Sequence, residues 1–324
     1  MYRKISTILI PTLIAVGIIG YMLYLVWGEL LTALQHIVPV YLGIAIIICL
    51  AAWWLRGWRY HRILLGLNYR IKVVVTTACV FISQTVNVIV PARLGDFVRI
   101  FILKHDYNTT YSEGISSIVV ERVFDIIAIS VLGAVSLWFV PNVPSWFKLI
   151  IIVPLALGFG FLVFLIFAGK LTTQNRYVRF ILTMLEEIRR ASLSVRSMVI
   201  LGASSIVIWI IDILVCYAVV AMFEQQIPFA VIVLAIVIGN LVKAVPITPG
   251  GIGTYEIAVA TTFYEIAGVA YAVAFLIAVV DDLIKNLVTL AGGVVSIYYL
   301  GDWVIPTIKS AMNAKPNGGK TPDP

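Results

Sequence analysis

Pro91-Ala-Arg-Leu-Gly-Asp-Phe-Val-Arg99 and Pro249-Gly-Gly-Ile-Gly-Thr-Tyr-Glu256 are related stretches, and each follows a long apolar run. In both, a glycine stands four residues after the first proline, and polar side chains follow it. Proline and glycine interrupt helices, and interrupted backbone at membrane depth survives only where it is buried in protein or lines a cavity. Two such breaks in the two halves of one chain predict a transporter-like site between repeats.

The composition excludes a soluble globular domain. Of the 324 residues, 61% are hydrophobic and 12% are charged, and the mean hydropathy is +1.05. A membrane-spanning helix needs roughly 20 apolar residues, and the first run, at 5–27, is too long to be a cleaved signal peptide. We therefore predict an all-α polytopic membrane protein. Its apolar runs are at 5–27, 39–55, 73–90, 116–139, 147–168, 197–222, 229–247 and 255–298.

The basic residues lie in loops beside the apolar runs. The loops at 56–72 and 170–196 and the segment after 302 are rich in Lys and Arg, whereas those at 28–38 and 223–228 contain none. The positive-inside rule assigns the basic loops and both termini to the cytoplasmic side of the cell membrane. The net charge of +7 therefore indicates contacts with anionic lipid headgroups, and no nucleic-acid binding.

This orientation holds for every basic loop only if the segments 73–103 and 229–266 are re-entrant hairpins that enter and leave on one side. Each half then has three spanning helices and one hairpin, about six full spans plus two hairpins in all. An odd number of crossings per half inverts the second half relative to the first. We expect membrane repeats at 1–140 and 141–302 and a mostly disordered cytoplasmic tail at 303–324. The alternative fold has eight plain helices, with the motifs in loops.

Charged side chains within apolar helices are costly, so they mark either function or internal ion pairing. A group of three charged residues follows each break at a similar distance. In each group two members are four residues apart and share one helix face. The groups are Glu121, Arg122 and Asp125 in the first half and Asp281, Asp282 and Lys285 in the second.

Other polar residues near the breaks have two interpretations each. Arg93 and Arg99 are either ion-pair partners of the first acidic group or bidentate ligands of a phosphate. Asp212 is either a group of the translocation pathway or the partner of Lys243. The turn Gly250-Gly251-Ile-Gly253 is predicted to present backbone N–H groups to an anion where a helix restarts.

Two aromatic or amphipathic stretches are assigned to the membrane interface. Trp53, Trp54, Trp58 and Tyr60, interleaved with Arg56 and Arg59, are typical of an interfacial anchor. Residues 175–196 have apolar side chains at helical spacing with arginines beside them. This pattern predicts either an amphipathic helix on the inner membrane surface or a solvated linker helix.

The sequence contains no motif of a soluble enzyme. Gly-x-Ser-x-Gly, the Walker loop and His-Glu-x-x-His are all missing. The three cysteines and three histidines have no metal-ligand spacing. We therefore expect no metal, no cofactor and no enzymatic activity.

Three motifs carry a resemblance to a known family: Pro91-Ala-Arg-Leu-Gly-Asp-x-x-Arg99, Glu121-Arg-x-x-Asp125 and Pro246-Ile-x-Pro-Gly-Gly-Ile-Gly-x-x-Glu256. In this order they closely resemble the lysylphosphatidylglycerol synthase transmembrane-region family, over nearly the whole chain. That family includes the flippase domain of the multiple peptide resistance factor. Because the chain ends shortly after its last helix, we expect a stand-alone member without the synthase domain.

The resemblance implies a flippase that moves a phospholipid or a polyprenyl-phosphate-linked lipid between leaflets, with membrane lipids as partners. The alternatives are a membrane-embedded lipid-modifying enzyme, an accessory subunit of a separate lipid synthase or glycosyltransferase, and an ion-coupled solute transporter. The substrate-binding residues predicted by the motifs and the charges are Arg93, Asp96, Arg99, Glu121, Arg122, Asp125, Asp212, Lys243, Pro249, Gly250, Gly251, Gly253, Tyr255, Glu256, Asp281, Asp282 and Lys285.

Overall fold

The computed structural model describes residues 38–90, 93–168, 176–245 and 248–301. The predicted first membrane helix at 5–27 and the predicted tail at 303–324 lie outside these residues. The described chain is helical throughout and contains no strand, which confirms the all-α class. Its ten α-helices are α1 (Val40–Gly66), α2 (Val73–Ile89), α3 (Gly95–Tyr107), α4 (Tyr111–Phe139), α5 (Ser145–Ala168), α6 (Arg176–Ser192), α7 (Val195–Met222), α8 (Phe229–Lys243), α9 (Thr254–Ala267) and α10 (Tyr271–Leu300).

The first predicted break separates α2 from α3. After α2, Val90 has extended backbone (φ −115°, ψ 128°), as expected for a residue that precedes a proline. Helix α3 begins at Gly95 with Asp96 in its first turn, where a carboxylate interacts favourably with the helix dipole. The side chain of Asn87 joins the two helices, because its Oδ1 accepts a hydrogen bond from the N–H of Gly95 at 2.8 Å.

The second predicted break separates α8 from α9. Between them lies a turn that includes a short 3₁₀ segment, Pro249–Gly251. Gly250 and Gly251 have φ angles of 63° and 75°, a left-handed conformation that costs residues with a side chain about 1–2 kcal/mol. The paired glycines of the motif therefore allow the chain to turn here. The two helix pairs, 73–107 and 229–267, end slightly later than the predicted hairpins at 73–103 and 229–266.

The second break lies against the end of α2, the helix that leads into the first break. The 3₁₀ segment of the second break packs against α2. A Cβ atom built on Gly250 lies 3.4 Å from the Cα atom of Val88, which is close to the C-terminal end of α2. The turn after α8 is therefore in contact with the helix that precedes the first break.

Helices from the two predicted repeats pack closely against each other. Helix α1 packs on α7, and α2 packs on α10. Gly293 of α10 lies so close to Thr85 of α2 that an added Cβ would overlap the threonine side chain, and small residues permit such close approach of membrane helices. Thr85 Oγ1 also donates to the carbonyl oxygen of Thr289 at 2.9 Å. The inverted symmetry of the repeats stays a prediction.

Three described helices are long and apolar enough to cross a membrane: α1, residues 145–167 of α5, and α7. Large apolar side chains of α5 face outward, such as Leu157 and Phe167, which are 69% and 67% exposed. An extended exposed apolar surface of this kind requires an apolar environment such as lipid. Helices α4 and α10 have 29 and 30 residues and carry the charged groups predicted from the sequence. The chain is a helical membrane protein, and the count of six spans stays a prediction.

The predicted amphipathic segment at 175–196 contains helix α6, at 176–192. It is tied to α4 by the hydroxyl groups of Ser112 and Ser116, which donate to the Glu187 carboxylate at 2.7 and 2.9 Å. Phe180 and Ile181 are exposed. The choice between a membrane-surface helix and a solvated linker stays open.

Candidate functional site

A cavity of about 370 Å³ lies between the two breaks. Its walls come from α1, α2, α4, α7, α8 and α10 and from both turns, so both halves of the chain contribute. The volume falls within the range of small-molecule binding sites. Among the described residues, five cations and three acids line it: Arg56, Arg93, Arg122, Lys243 and Lys285, and Glu121, Asp125 and Asp212.

The first charged cluster joins α1, α3 and α4. Arg59 donates to both carboxylate oxygens of Asp125, at 2.5 and 3.0 Å, and Arg99 binds Glu121 at 2.5 Å. Arg59 also approaches Glu121 at 3.6 Å, so the predicted common face of Glu121 and Asp125 is confirmed. Arg59 and Arg99 are 1% and 0% exposed, and buried arginines require such partners.

Asp96 completes this cluster at the start of α3. Its carboxylate accepts hydrogen bonds from Ser83 at 3.0 Å and from Asn87 at 3.1 Å, and it is 3.4 Å from both Arg99 and Arg122. Asp96 therefore connects the start of α3, directly after the first break, to α2 and α4. Asp96 does not line the cavity itself.

The second charged cluster joins α1, α7 and α10. Asp212 on α7 accepts from Arg56 on Oδ1 at 3.0 Å and from Lys285 on Oδ2 at 2.9 Å. Lys285 also binds Asp281 at 2.9 Å, which confirms their predicted common face, and Tyr255 donates to Asp281 at 2.5 Å. This network runs from the first half of the chain into the last helix.

The partners of Asp212 correct one prediction. Lys243 does not pair with Asp212 but with Asp282, at 2.6 Å. Asn286 also donates to Asp282, at 2.6 Å. The adjacent acids of α10 are therefore neutralised separately, because Asp281 and Asp282 point to different cations.

Arg93 differs from the other four lining cations. Each of those four has at least one ion pair, whereas Arg93 has none with the residues that the structure describes. Its backbone has a φ of 54°, which is unusual for a residue with a side chain and is typical of functional sites. Of its predicted partners, Glu121 binds Arg99 instead.

Arg99 has a structural position rather than a cavity-facing one. It is fully buried, pairs with Glu121, and its guanidinium carbon lies 4.4 Å from the ring centroid of Tyr60. It is not among the residues that line the cavity. The phosphate interpretation therefore fits Arg93, whereas the ion-pair interpretation fits Arg99.

The second turn uses several of its backbone donors internally. The N–H of Gly253, predicted to face an anion, donates to the Glu256 carboxylate at 2.7 Å. The N–H of Gly251 donates to the carbonyl oxygen of Thr248 at 3.2 Å. The carboxylate of Glu256 thus already occupies the start of α9, and Gly250 and Gly251 contribute to the cavity wall.

The interfacial-anchor prediction is wrong for Trp53, Arg56, Arg59 and Tyr60. Arg59 and Tyr60 are buried, and Trp53 and Arg56 line the cavity. Spacing along α1 was the available signal, since residues 49, 53, 56 and 60 recur at intervals of three or four and share one face. The partner of that face lies on α7, which the sequence of α1 alone does not reveal.

A larger groove of about 820 Å³ lies beside α6 and contains none of the predicted site residues. Two of its three acids make structural contacts: Glu113 caps α4, and Glu187 binds α4 serines. Glu113 also accepts from Tyr69 at 2.6 Å, and burial together with this hydrogen bond raises the pKa of Tyr69 to about 12. In the described part of the chain, no group of three or more His, Cys, Asp or Glu residues is arranged to hold a metal ion.

A family model described as "Lysylphosphatidylglycerol synthase TM region" matches residues 8–293. The chain is similar to "Glycosyltransferase AglD" of Haloferax volcanii, with 30% identity over 345 residues that cover 92% of this chain and 55% of AglD. It is also similar to a UPF0104 membrane protein of Methanocaldococcus jannaschii, with 28% identity over 222 residues that cover 66% of this chain and 93% of that protein. The chain thus spans about half the length of AglD.

Proposed function

The chain belongs to the lysylphosphatidylglycerol synthase TM-region family, and from this membership and its cavity we propose that it is a lipid translocase. It moves a phospholipid or a polyprenyl-phosphate-linked lipid between leaflets of the cell membrane. The headgroup passes through the polar cavity while the acyl or isoprenoid tails stay in the bilayer. The two breaks are the tips of re-entrant hairpins, and both termini are cytoplasmic.

One observation carries this proposal: the cavity wall has more cations than acids, and Arg93 is a cation without an ion pair among the described residues. Guanidinium groups bind phosphate oxygens in pairs. A partly exposed arginine at an interrupted helix is therefore suited to a lipid phosphate. The positive charge of Arg93, which no ion pair with a described residue neutralises, draws an anionic headgroup into the cavity.

The paired cations supply the next contacts along the pathway. Arg56 and Lys285 both bind Asp212, and Lys285 also binds Asp281. A phosphate that enters the cavity can replace Asp212 as the partner of Arg56 without leaving any group unpaired, since Lys285 retains its acids. Such exchange keeps the charges neutralised while the headgroup moves.

The test is lipid exchange in reconstituted vesicles. Purified protein is inserted into vesicles with a fluorescent phosphatidylglycerol in the inner leaflet, and the rate at which it becomes accessible to an external quencher is measured. We expect Arg93→Gln to lower the rate about tenfold or more, which corresponds to loss of a charge-assisted hydrogen-bond pair. Arg179→Gln, an exposed position on α6, is the matched control and should leave the rate unchanged. An unchanged rate in Arg93→Gln would contradict the role of this residue.

A second candidate function rests on the name of one relative. AglD is named a glycosyltransferase, which favours a membrane-embedded lipid-modifying enzyme or an accessory subunit of a separate one. Lipid mass spectrometry after incubation with membrane extracts distinguishes such an enzyme from a translocase. A covalently altered lipid that depends on the purified chain supports the enzyme, and leaflet exchange of an unaltered lipid supports the translocase.

A further inference from the structure

The cavity has hydrogen-bonding capacity that the protein itself does not use. Gln84 of α2 lines the cavity, is only partly buried, and makes no hydrogen bond with the residues that the structure describes. Asn240 donates through Nδ2 to the carbonyl oxygen of Ile236 at 2.9 Å, and Asn286 donates through Nδ2 to Asp282 at 2.6 Å. Both partners are acceptors, so each asparagine must direct its NH₂ group to them. No described residue donates to the Oδ1 atoms of Asn240 and Asn286, which are therefore available to a ligand.

The carboxylates of the cavity wall, by contrast, are all occupied. Glu121 is paired with Arg99, Asp125 with Arg59, and Asp212 with Arg56 and Lys285. A headgroup ammonium would need one of these acids to give up a short ion pair. It would also meet Arg93, a lining cation that has no ion pair with the described residues. Both effects oppose a cationic headgroup.

The acceptors and the cation that have no partner in the described part of the chain together define the chemistry of the ligand. Arg93 provides donors for a phosphate, and the carboxamide oxygens of Gln84, Asn240 and Asn286 accept hydrogen bonds from neutral hydroxyl groups. Sites that hydrogen-bond a ligand hydroxyl discriminate strongly against ligands that lack it, because their buried polar groups then remain unpaired. These acceptors lie on three helices around the same cavity.

We propose that the cavity recognises a phosphate ester with hydroxyl groups and without an amine, such as a glycerol, inositol or sugar phosphate, and that it rejects aminoacylated and choline headgroups. This inference rests on the proposed translocase function, which makes the phosphate ester the headgroup of a membrane lipid. The same chemistry occurs in soluble phosphate esters, so headgroup recognition and lipid movement are tested separately.

Binding is measured by the thermal stability of the full chain in detergent, with sn-glycerol 3-phosphate, inorganic phosphate and phosphocholine as soluble probes. We expect glycerol phosphate to bind about three- to tenfold more tightly than inorganic phosphate, the effect of one or two added hydrogen bonds. Gln84→Leu should reduce this difference, because it removes one of the three carboxamide acceptors. Gln225→Leu, in the turn after α7 and away from the cavity, is the matched control. Equal or tighter binding of phosphocholine overturns the proposal, as does the absence of any binding.

Lipid movement is measured in vesicles with fluorescent phosphatidylglycerol, lysylphosphatidylglycerol and phosphatidylcholine. The proposal predicts exchange of phosphatidylglycerol at least about tenfold faster than of the other two, and equal or faster exchange of the lysyl lipid overturns it. If no lipid is exchanged but the soluble preference holds, the translocase function fails and headgroup recognition stands. If soluble glycerol phosphate binds at least as tightly as micellar phosphatidylglycerol, the ligand is a soluble ester.

Discussion

The guanidinium of Arg56 donates a 3.0 Å hydrogen bond to Oδ1 of Asp212 and so links the two halves of the chain. The other oxygen of this carboxylate accepts from Lys285 at 2.9 Å. Asp212 is 6% exposed, and it lies at the wall of the cavity where an anionic headgroup is proposed to pass. One carboxylate therefore pairs with two cations that are also suited to bind a phosphate.

Asp212→Asn should destabilise the protein and make its stability depend on anionic lipid. The change leaves Arg56 without its counter-charge, and loss of one partner from a buried pair costs about 3–5 kcal/mol. Thermal unfolding in detergent, with and without phosphatidylglycerol, measures both effects, and the lipid should restore more stability to the variant than to the wild type. Asp212→Glu, which keeps the charge, is the control. Equal stabilisation of all three proteins by the lipid would rule out competition between Asp212 and the headgroup.

Arg99→Leu should lower the free energy of unfolding far more than Arg93→Gln does. Arg99 is fully buried against Glu121 at 2.5 Å, so its removal leaves a buried acid short of a partner, at a cost of about 3–5 kcal/mol. Arg93 has no ion pair among the described residues, and its replacement should change the free energy of unfolding by less than about 1 kcal/mol. Chemical denaturation in detergent compares the two variants.

The double variant Arg99→Leu with Glu121→Leu tests the origin of this cost. Because it removes both charges, it should recover part of the stability that Arg99→Leu loses. Arg59 keeps Asp125 as its partner at 2.5 Å in that variant. If the double variant loses more unfolding free energy than the two single variants lose together, the Arg99–Glu121 ion pair is not the main source of the cost.

Gly95→Ala should disrupt the start of α3, whereas Gly202→Ala should not. A Cβ on Gly95 would overlap the carbonyl oxygen of Ser83 and approach Asn87 Oδ1 to 2.7 Å. Both neighbours belong to α2, so the two helices would have to separate. Gly202 lies in α7 with nothing within 4 Å of an added Cβ, and alanine there should stabilise the helix by about 0.5–1 kcal/mol. Unfolding temperatures of the two variants in the same detergent should move in opposite directions.

A disulfide between Val88→Cys and Gly250→Cys should arrest lipid exchange. The Cβ position of residue 250 lies 3.4 Å from the Cα atom of residue 88, which is compatible with the short Cβ–Cβ distance of a disulfide. If the headgroup passes between the two breaks, joining them should lower the exchange rate under oxidation, and a reductant should restore it. The native cysteines are buried, so each single variant under oxidant is a sufficient control. Full exchange in the oxidised double variant would place the pathway elsewhere.

Local pattern was enough to predict the helical breaks. A proline at position 91 favours extended backbone at Val90, and glycines at 250 and 251 permit left-handed backbone, so both features depend on the local residues. The charged pair Asp281 and Lys285 was equally predictable, because a spacing of four brings side chains together on any helix. These features need no knowledge of distant segments.

The partners across the cavity were not predictable in the same way. Lys243 binds Asp282 rather than Asp212, and Arg56 and Arg59 turn inward rather than toward the membrane interface. Several cations and acids of similar reach lie in both halves, so the sequence allows many pairings. Helix packing chooses among them.

Composition, proline geometry and glycine flexibility are local properties, so the amino-acid sequence alone is enough to predict a helical membrane protein that is interrupted near residues 91 and 249. The contact of the Gly250 turn with Val88 of α2, and the sharing of Asp212 by Arg56 and Lys285, join segments far apart in the chain and are visible only in the folded protein. Those contacts depend on how α1 packs on α7 and α2 on α10. The physical reason is that an ion pair needs its partners within about 4 Å, and only packing brings residues so distant in sequence to that separation.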